Sequence, residues 1–430
     1  MTDAPPVPQS AWVRPTPRPP VDTATQLVNL SNLPGADLAP SVAVHPVDGW
    51  AAVIWANVPP EGDAANVFVK VQDPVSRAWQ PGVSLNTTPA RTYAAHPALA
   101  IDAEGRIHAL FAQDGLRLHY RRSNDFGRTW TTPEPLPVPS AGGSGMALRV
   151  AVDAAGGLHV LYIAGDCGED CFQTHHVQRP AAAPPGTPWR APERPLPGTK
   201  HLRADLVTLQ QRLVVAAACP RGCGASRPVV AVRDGDGPWR ERMVPGDVTH
   251  DDWEINWISA VKAGDTTVCL AWSHYARSGV YSACSFDRGD TWEAAKPIVE
   301  TYPLTPEGDS AFTPTLLYEP LSATVLAVQL YAQAGGDRPA VYPGFSIRRP
   351  QADHWVPDVA GPFDHPQRSV PFRLFAAATP HSAALPREGL RLAYAGHDLA
   401  LAVWVEQSAN ESFDVYSGWF HPAALLAEVR

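Results

Sequence analysis

The sequence predicts an all-β protein, a seven-bladed β-propeller of four-stranded antiparallel blades. Three observations lead to this prediction. The 430 residues include 46 prolines and 32 glycines, so turns interrupt the chain frequently. Apolar, strand-like runs recur at an even interval, and tryptophans recur beside them at a similar interval. An even recurrence of this length indicates one repeated supersecondary unit.

Seven apolar runs define the repeat. The first five intervals between them are about 51 to 59 residues, which matches one four-stranded blade. The last interval is longer by roughly 15 residues, which predicts an insertion between Phe363 and Leu390. The runs are almost continuously hydrophobic, as is typical of strands buried on both faces. They are marked by Trp55, Phe111, Tyr162, Ala217, Trp272, Tyr331 and Trp404.

Six tryptophans begin the strands that follow these runs, at Trp79, Trp130, Trp189, Trp239, Trp292 and Trp355. The segment 25–32 (TQLVNLSN) aligns with 79–86 (WQPGVSLN), so the N-terminus can supply the missing outer strand. The last blade then takes three strands from the C-terminus and one from residues 25–32, which leaves no exposed sheet edge. The alternative is a six-bladed ring with a C-terminal cap. Residues 25–430 are thus predicted to form one domain, after a proline-rich arm at 1–24.

Charge and hydropathy exclude several classes of function. The net charge is −9 and no run of Lys or Arg could follow a phosphate backbone, so nucleic acid is not an expected partner. No apolar stretch reaches the length of about 18 residues that spans a bilayer, so no membrane insertion is expected. No cofactor is expected either. The start of the chain lacks the basic and apolar regions of a signal peptide, which fits a cytoplasmic protein or a mature secreted domain.

Two repeats carry the motif S-x-D-x-G-x-T-W between their third and fourth strands. The residue types of this motif suit a tight turn, because Asp accepts hydrogen bonds from backbone N–H groups and Gly adopts positive φ. Ser and Thr hydroxyls satisfy the remaining turn groups, and Trp packs between sheets. Degenerate versions follow at 73–79, 234–239 and 353–355. The full motifs consist of Ser123, Asp125, Gly127, Thr129 and Trp130, and of Ser285, Asp287, Gly289, Thr291 and Trp292.

This motif resembles the Asp box, or BNR repeat, of sialidases and related propellers, and the resemblance covers nearly all of the chain after the arm. It implies that Asp125 and Asp287 serve the fold, on the face opposite an active site. It also implies a sialidase site with three arginines, the first in an (F/Y)-R-I-P segment, a Tyr–Glu nucleophile pair and an Asp acid/base. No such segment precedes the first full motif, and the nearest match, around Arg373, lies late and lacks Ile-Pro. Sialoside cleavage is therefore not predicted.

A ligand is expected on the funnel face, where the loops that lead into the innermost strands of a propeller meet. The richest of these loops is 250–254, with Trp257 just beyond it, because acids beside an aromatic ring are typical of sugar sites. Paired carboxylates there could also hydrolyse a glycosidic bond. The alternative is a solvated acidic loop whose Trp is buried between blades. The candidate ligand-binding residues are His250, Asp251, Asp252, Trp253, Glu254, Arg149, Arg203, Tyr93 and His96.

The six cysteines can all pair locally, which favours disulfides and an oxidising compartment. The expected pairs are Cys167–Cys171, Cys219–Cys223 and Cys269–Cys284. The third follows from the hairpin register, because pairing Trp272 with Tyr281 also sets Cys269 opposite Cys284. The alternatives are a four-cysteine zinc site that bridges the first two loops, and reduced cytoplasmic thiols.

Three functional hypotheses follow. The first is a secreted, periplasmic or cell-surface propeller that binds a glycan or protein on its funnel face. The second is a glycoside hydrolase of sialidase-like ancestry with a changed catalytic set. The third is a structural module of a larger extracellular assembly, contacted through the proline-rich arm. A convergent arginine cluster at the axis would favour an enzyme acting on acidic sugars, whereas a flat apolar face would favour protein binding.

Overall fold

The computed structural model describes most of the chain. The described residues are 28–60, 62, 64–91, 96–114, 117–137, 144–165, 173–196, 203–218, 228–245, 255–274, 279–300, 310–333, 340–357, 390–396, 399–407 and 413–422. The predicted arm and most of the predicted insertion between Phe363 and Leu390 lie outside these ranges. No helix within them is long and apolar enough to cross a membrane.

The described residues form short strands in chain order. The first ten are β1 (Val28–Asn29), β2 (Ala36–Val44), β3 (Ala51–Val58), β4 (Ala64–Val71), β5 (Val83–Ser84), β6 (Ala90–Arg91), β7 (Ala98–Ile101), β8 (Ile107–Gln113), β9 (Arg117–Ser123) and β10 (Glu134–Pro135). The next eleven are β11 (Ser144–Val152), β12 (Gly157–Gly165), β13 (Gln173–Pro180), β14 (Arg203–Leu209), β15 (Arg212–Ala218), β16 (Val229–Asp234), β17 (Arg240–Met243), β18 (Ile255–Lys262), β19 (Val268–His274), β20 (Gly279–Ser285) and β21 (Lys296–Glu300). The last seven are β22 (Ser310–Glu319), β23 (Thr324–Gln333), β24 (Ala340–Arg348), β25 (Val356–Pro357), β26 (Arg391–Gly396), β27 (Leu399–Gln407) and β28 (Phe413–Phe420).

Consecutive strands pair antiparallel into separate sheets. Four sheets have four strands each, β7–β10, β14–β17, β18–β21 and β22–β25, and β11–β13 form a three-stranded sheet. A nine-stranded sheet contains β26–β28 and β2–β5, with β1 on β28 and β6 on β4. Among the described residues, the strand pairing that joins its two antiparallel halves is the parallel pairing of Ala36 with Phe413. The predicted all-β class is thereby confirmed, and four of the sheets have the predicted four antiparallel strands.

The first strands of these sheets surround an axis. In chain order, β2 contacts β7, β7 contacts β11, β11 contacts β14, β14 contacts β18, β18 contacts β22 and β22 contacts β26. Strand β26 then contacts β2, which closes the circle. The hydrophobic core lies between neighbouring sheets, where Leu110 of β8 packs with Val160 of β12, and Val214 of β15 with Leu270 of β19. Sheets arranged face to face around an axis constitute a β-propeller.

The N-terminal strand closes the last sheet, as the repeat alignment predicts. Val28 pairs with Ser417 and Asn29 with Tyr416, so β1 lies on the outer side of β28. Leu30 is fully buried beside this pairing. The predicted closure is thereby confirmed for Val28 and Asn29, whereas residues 25–27 lie outside the described ranges.

The predicted hairpin register of β19 and β20 is also confirmed. Trp272 pairs with Tyr281, and Cys269 lies opposite Cys284. These two cysteines form a disulfide. The predicted pairs Cys167–Cys171 and Cys219–Cys223 fall outside the described residues, so both they and the zinc alternative stay predictions.

The two S-x-D-x-G-x-T-W segments form closely similar turns, which we call the box turns. In the first, Asp125 Oδ1 accepts the Thr129 backbone N–H at 2.8 Å and Oδ2 accepts its hydroxyl at 2.6 Å. Ser123 Oγ accepts the Gly127 N–H at 2.8 Å, and Trp130 Nε1 donates to the Gly127 carbonyl at 3.0 Å. The second turn repeats each of these four bonds within 0.1 Å. Although burial raises the pKa of Asp125, the bonds from Thr129 lower it below its ordinary value.

Each box turn also holds its glycine against the preceding sheet. Gly127 has a φ of 79°, and a Cβ added there would lie 2.5 Å from Cγ2 of Val71 on β4. Gly289 has a φ of 92°, and an added Cβ would lie 3.0 Å from Cγ1 of Val232 on β16. Glycine is therefore required for backbone conformation and for contact between sheets.

We predict that Gly127→Ala lowers the free energy of unfolding by about 2–4 kcal/mol, because it adds steric conflict to backbone strain. The matched control is Gly156→Ala. Gly156 has the same φ of 79°, but nothing lies within 4 Å of an added Cβ, so only the strain of about 1–2 kcal/mol remains. Denaturant unfolding of both variants measures the difference. Equal losses would contradict the proposed contact between sheets.

Ring closure buries an acidic side chain near the start of β2. Asp37 has no exposed surface, and its Oδ1 accepts a hydrogen bond from Asn57 Nδ2 at 3.0 Å. Burial raises the pKa of Asp37 to about 6, and the nearby carboxylate of Asp414 contributes in the same direction. Hydrogen bonds from Ser31 and Asn57 offset part of this effect. The ionised form of Asp37 is thus unfavourable at the joint between the two ends of the chain.

We predict that Asp37→Asn stabilises the protein at pH 8. Because the pKa of Asp37 is higher in the folded than in the unfolded state, its contribution to stability falls as the pH rises from about 4 to about 6. Asn carries no charge, so the variant should gain about 1–3 kcal/mol over wild type at pH 8 and little at pH 4. Thermal unfolding across this pH range measures the gain, with the exposed Asp265→Asn as control. A loss of stability at pH 8 would contradict the prediction.

Candidate functional site

A pocket opens at the axis, at the end where the first strands begin. It encloses ≈ 90 Å³. Every first strand contributes to it, except that β7 is represented by the two residues that precede it. The lining residues are Ala39, Ser41, His96, Pro97, Arg149, Arg203, Ala204, Asp205, Trp257, Ile258, Ser259, Ala260, Thr315, Leu316, Arg391 and Leu392. The third strand of a sheet runs in the direction of the first, so both box turns lie at the opposite end of the ring.

Irregular strand pairing directs side chains into this pocket. The register between first and second strands shifts just before Ser41, Arg149, Trp257 and Thr315. Such bulges turn a side chain out of the regular alternation and are common beside functional sites. Within the first of them, Ala39 has a φ of 48°, a conformation that a non-glycine residue rarely adopts. The pocket therefore departs from ideal sheet geometry on four strands.

Positive charge dominates the described part of the pocket. Arg149 comes from β11, Arg203 from β14 and Arg391 from β26, and Asp205 is the single carboxylate among the lining residues. Guanidinium groups that converge in a concave site attract anions and can bind a carboxylate through two parallel hydrogen bonds. The arrangement is therefore suited to an anionic group.

Both carboxylate oxygens of Asp205 already have partners within the protein. Its side chain is buried, and its Oδ2 accepts the backbone N–H of Ala260 on β18 at 2.9 Å. Its Oδ1 accepts the N–H of Leu206 at 2.8 Å and lies 3.2 Å from Nε of Arg149. Asp205 thus ties three first strands together and orients Arg149. A carboxylate with these partners is poorly placed to transfer protons to a ligand.

Trp257 contacts the other two arginines. The guanidinium carbon of Arg203 lies 5.5 Å from the Trp257 ring centroid, and that of Arg391 lies 4.9 Å from it. Both distances are within the range of cation–π attraction. Only 8% of Trp257 is exposed. The ring therefore supports the arginines and leaves little of its surface for a ligand.

A wider channel continues along the axis below the pocket and encloses ≈ 490 Å³. It shares Arg149 and Arg391 with the pocket and extends to Tyr394 on β26. The hydroxyl of Tyr394 donates to Oε1 of Glu319 at 3.2 Å. This Tyr–Glu pair is about 10 Å further along the strand than Arg391, because a strand rises about 3.3 Å per residue. Tyr394 nevertheless lines the same channel as Arg149 and Arg391.

Three of the sequence-predicted ligand residues meet in this pocket, namely His96, Arg149 and Arg203. Tyr93 and the loop His250, Asp251, Asp252, Trp253 and Glu254 lie outside the described residues. The sequence interpretation missed Arg391 and Asp205. A signal for Arg391 exists, because it begins the first strand of its repeat (RLAYAG), as Arg203 begins the first strand of its own repeat (RADLVTL).

Metal ligation has no candidate in the described ranges. There, no three His, Cys, Asp or Glu side chains come close enough to hold an ion together.

Comparison with known proteins finds likeness in structure alone. No protein-family model and no curated protein matches the chain. Among solved structures, a Hadza microbial sialidase is 16% identical at a TM-score of 0.44, covering 68% of this chain and 63% of its own. A protein of unknown function from Dyadobacter fermentans is 12% identical at a TM-score of 0.47, covering 92% and 99%. The Penicillium chrysogenum α-L-arabinanase is 13% identical at a TM-score of 0.45, covering 75% and 92%. The chain thus spans under two thirds of the length of that sialidase.

Proposed function

We propose that this protein is a seven-bladed propeller that binds a carboxylate-bearing ligand, such as an acidic sugar, in its axial pocket. Residues 25–430 form the propeller as one domain. The count of seven is supported by the nine-stranded sheet, whose halves β26–β28 with β1 and β2–β5 share one parallel pairing only. Treated as two blades, these halves join the five other sheets in a ring of seven first strands.

The observation that carries the proposed function is the convergence of Arg149, Arg203 and Arg391 on one small pocket. They come from three separate sheets, so ring closure alone brings them together. Guanidinium groups keep their charge at all physiological pH values and match the planar geometry of a carboxylate. Among the described lining residues, Asp205 is the acid that partly offsets them. The acidic sugar is the ligand class that the Asp-box resemblance to sialidases implies.

The described residues support ligand binding without cleavage better than they support hydrolysis. Glycoside hydrolysis needs a pair of carboxyl groups or an equivalent nucleophile and acid across the bond. The one carboxylate lining the described pocket is Asp205, which is hydrogen-bonded to backbone and paired with Arg149. Hydrolysis of acidic sugars is the second candidate, and the arginine convergence itself favours it.

The disulfide between Cys269 and Cys284 bears on the compartment. Both cysteines are almost completely buried, and disulfides persist in oxidising environments. The disulfide supports our proposal that the protein acts outside the cytoplasm, as a secreted, periplasmic or cell-surface propeller. Contact of the arm at 1–24 with a larger assembly stays a prediction.

We predict that N-acetylneuraminic acid and glucuronic acid bind, that galactose does not, and that binding weakens with added salt. Arg391→Gln should weaken carboxylate binding by at least about tenfold, because it removes a charge from the ligand site. Isothermal titration calorimetry measures both effects. The control is Arg128→Gln, since the Arg128 side chain is 63% exposed at a box turn, at the other end of the ring.

Galactose binding as strong as that of the acids, or an unaltered affinity in Arg391→Gln, would overturn the proposal. A fluorogenic sialoside assayed from about pH 4 to 8 tests the second candidate. Turnover that is lost in Arg391→Gln and kept in Arg128→Gln would establish the hydrolase instead. Absence of both binding and turnover would favour the structural-module hypothesis.

A further inference from the structure

Among the described tryptophans, Trp257 is the one that is buried within the charged pocket. It lies near the start of β18, and its ring contacts guanidinium groups from two other sheets. Those groups belong to Arg203 on β14 and Arg391 on β26. In the ring of first strands, β14 adjoins β18, whereas β26 is separated from β18 by β22. The indole ring of Trp257 therefore contacts arginines from two sheets that do not adjoin each other.

The backbone of β18 is irregular at this point. Its pairing with β19 shifts register between Ile255 and Trp257, so that Ile255 pairs with His274 and Trp257 with Ser273. In a regular strand, Trp257 and Ser259 would share one face with Ile255. A bulge just before a residue redirects its side chain, and such bulges recur beside functional sites. The irregularity thus fits a Trp257 ring that is aimed at the axis.

Electrostatic repulsion between the two arginines indicates a role for the Trp257 indole. The two guanidinium carbons both lie within 5.5 Å of one centroid, so they are no more than about 10 Å apart and repel each other. Repulsion favours separation of the two guanidinium groups, against which Arg391 is also held by a hydrogen bond from its Nη1 to the Leu390 carbonyl at 2.9 Å. Attraction to the negative face of an indole, about 0.5–2 kcal/mol for each cation, opposes that separation. A positioned pair also loses less conformational entropy when an anion binds.

We propose that Trp257 is a positioning residue that holds Arg203 and Arg391 at the spacing required by an anionic group. The inference rests on the proposed function of the pocket and adds the residue that sets its geometry. Trp257 acts through the arginines and does not stack on the ligand, since 92% of it is already covered. Within the described pocket, Trp257 accordingly serves recognition of the anionic group and not of an attached sugar ring.

The first test measures ligand affinity. Trp257→Leu should weaken binding of N-acetylneuraminic acid by about tenfold, because it removes both cation–π contacts, whereas Trp257→Phe should stay within about threefold of wild type. The matched control is Trp239→Leu. Trp239 also makes a cation–π contact, since the guanidinium carbon of Arg233 lies 4.7 Å from its ring centroid. Trp239 itself lies outside the pocket. A purely structural role would give equal losses in Trp257→Phe and Trp257→Leu.

The second test needs no ligand and so separates this inference from the proposed function. Phenylglyoxal modifies arginines, and mass spectrometry of peptides reports the rate at each position. In Trp257→Leu, Arg203 and Arg391 should react several times faster than in wild type. Arg149, which Asp205 orients at 3.2 Å, should react at an unchanged rate. The same rates should be close to wild type in Trp257→Phe.

The outcomes are distinct. If wild type binds no carboxylate but the two arginine rates rise in Trp257→Leu, the positioning role stands and the proposed function fails. If carboxylates bind but neither affinity nor arginine reactivity changes in Trp257→Leu, the positioning role is wrong. A rise in the Arg149 rate as large as the other two would indicate a general loosening of the pocket and would also overturn the inference.

Discussion

Closure of the ring is the constraint on which the rest of the structure depends. Each sheet buries both faces against its neighbours, so an unpaired sheet would expose two hydrophobic surfaces and a free edge. At its two ends, the chain meets this demand with few positions of strand pairing. Strand β1 has two residues, and β2 meets β28 through a single parallel pairing. The core contacts of Leu30 and its neighbours, more than the hydrogen bonds, then hold the joint together.

The same closure creates the pocket. Strand β2 carries Asp37 at the joint and, two and four residues later, Ala39 and Ser41 in the pocket. The strained backbone at Ala39 lies between these two roles, so the joint and the ligand site share one short stretch of chain. A propeller that opened at this seam would lose the alignment of Arg391 with Arg149 and Arg203. The joint and part of the pocket lining thus lie on one strand.

Repeat-level features of the fold could be predicted from the sequence because they depend on local chemistry. The box turns need only Ser, Asp, Gly, Thr and Trp at fixed spacing, and the β19–β20 register follows from matching Trp272 with Tyr281. The pocket could be predicted only in part. Arg149 and Arg203 were found from loops expected to lead into first strands, although Arg149 lies within β11. Arg391 requires the ring to be closed before it approaches them. The use of Trp257 depends on a bulge, and a one-residue shift in pairing has no reliable signature in the residues themselves.

The residues that line the described pocket are better suited to recognising a ligand than to transferring protons. Arginine supplies permanent charge and fixed geometry, and neither property moves a proton near neutral pH. The buried carboxylate that could do so, Asp205, instead accepts hydrogen bonds from Ala260 and Leu206. Freeing it would leave those backbone donors and Arg149 without their acceptor, at a cost of several kcal/mol by usual values of about 1–3 kcal/mol for each buried group. In the described site, the one acid therefore organises the cations to which the proposed function assigns an anionic ligand.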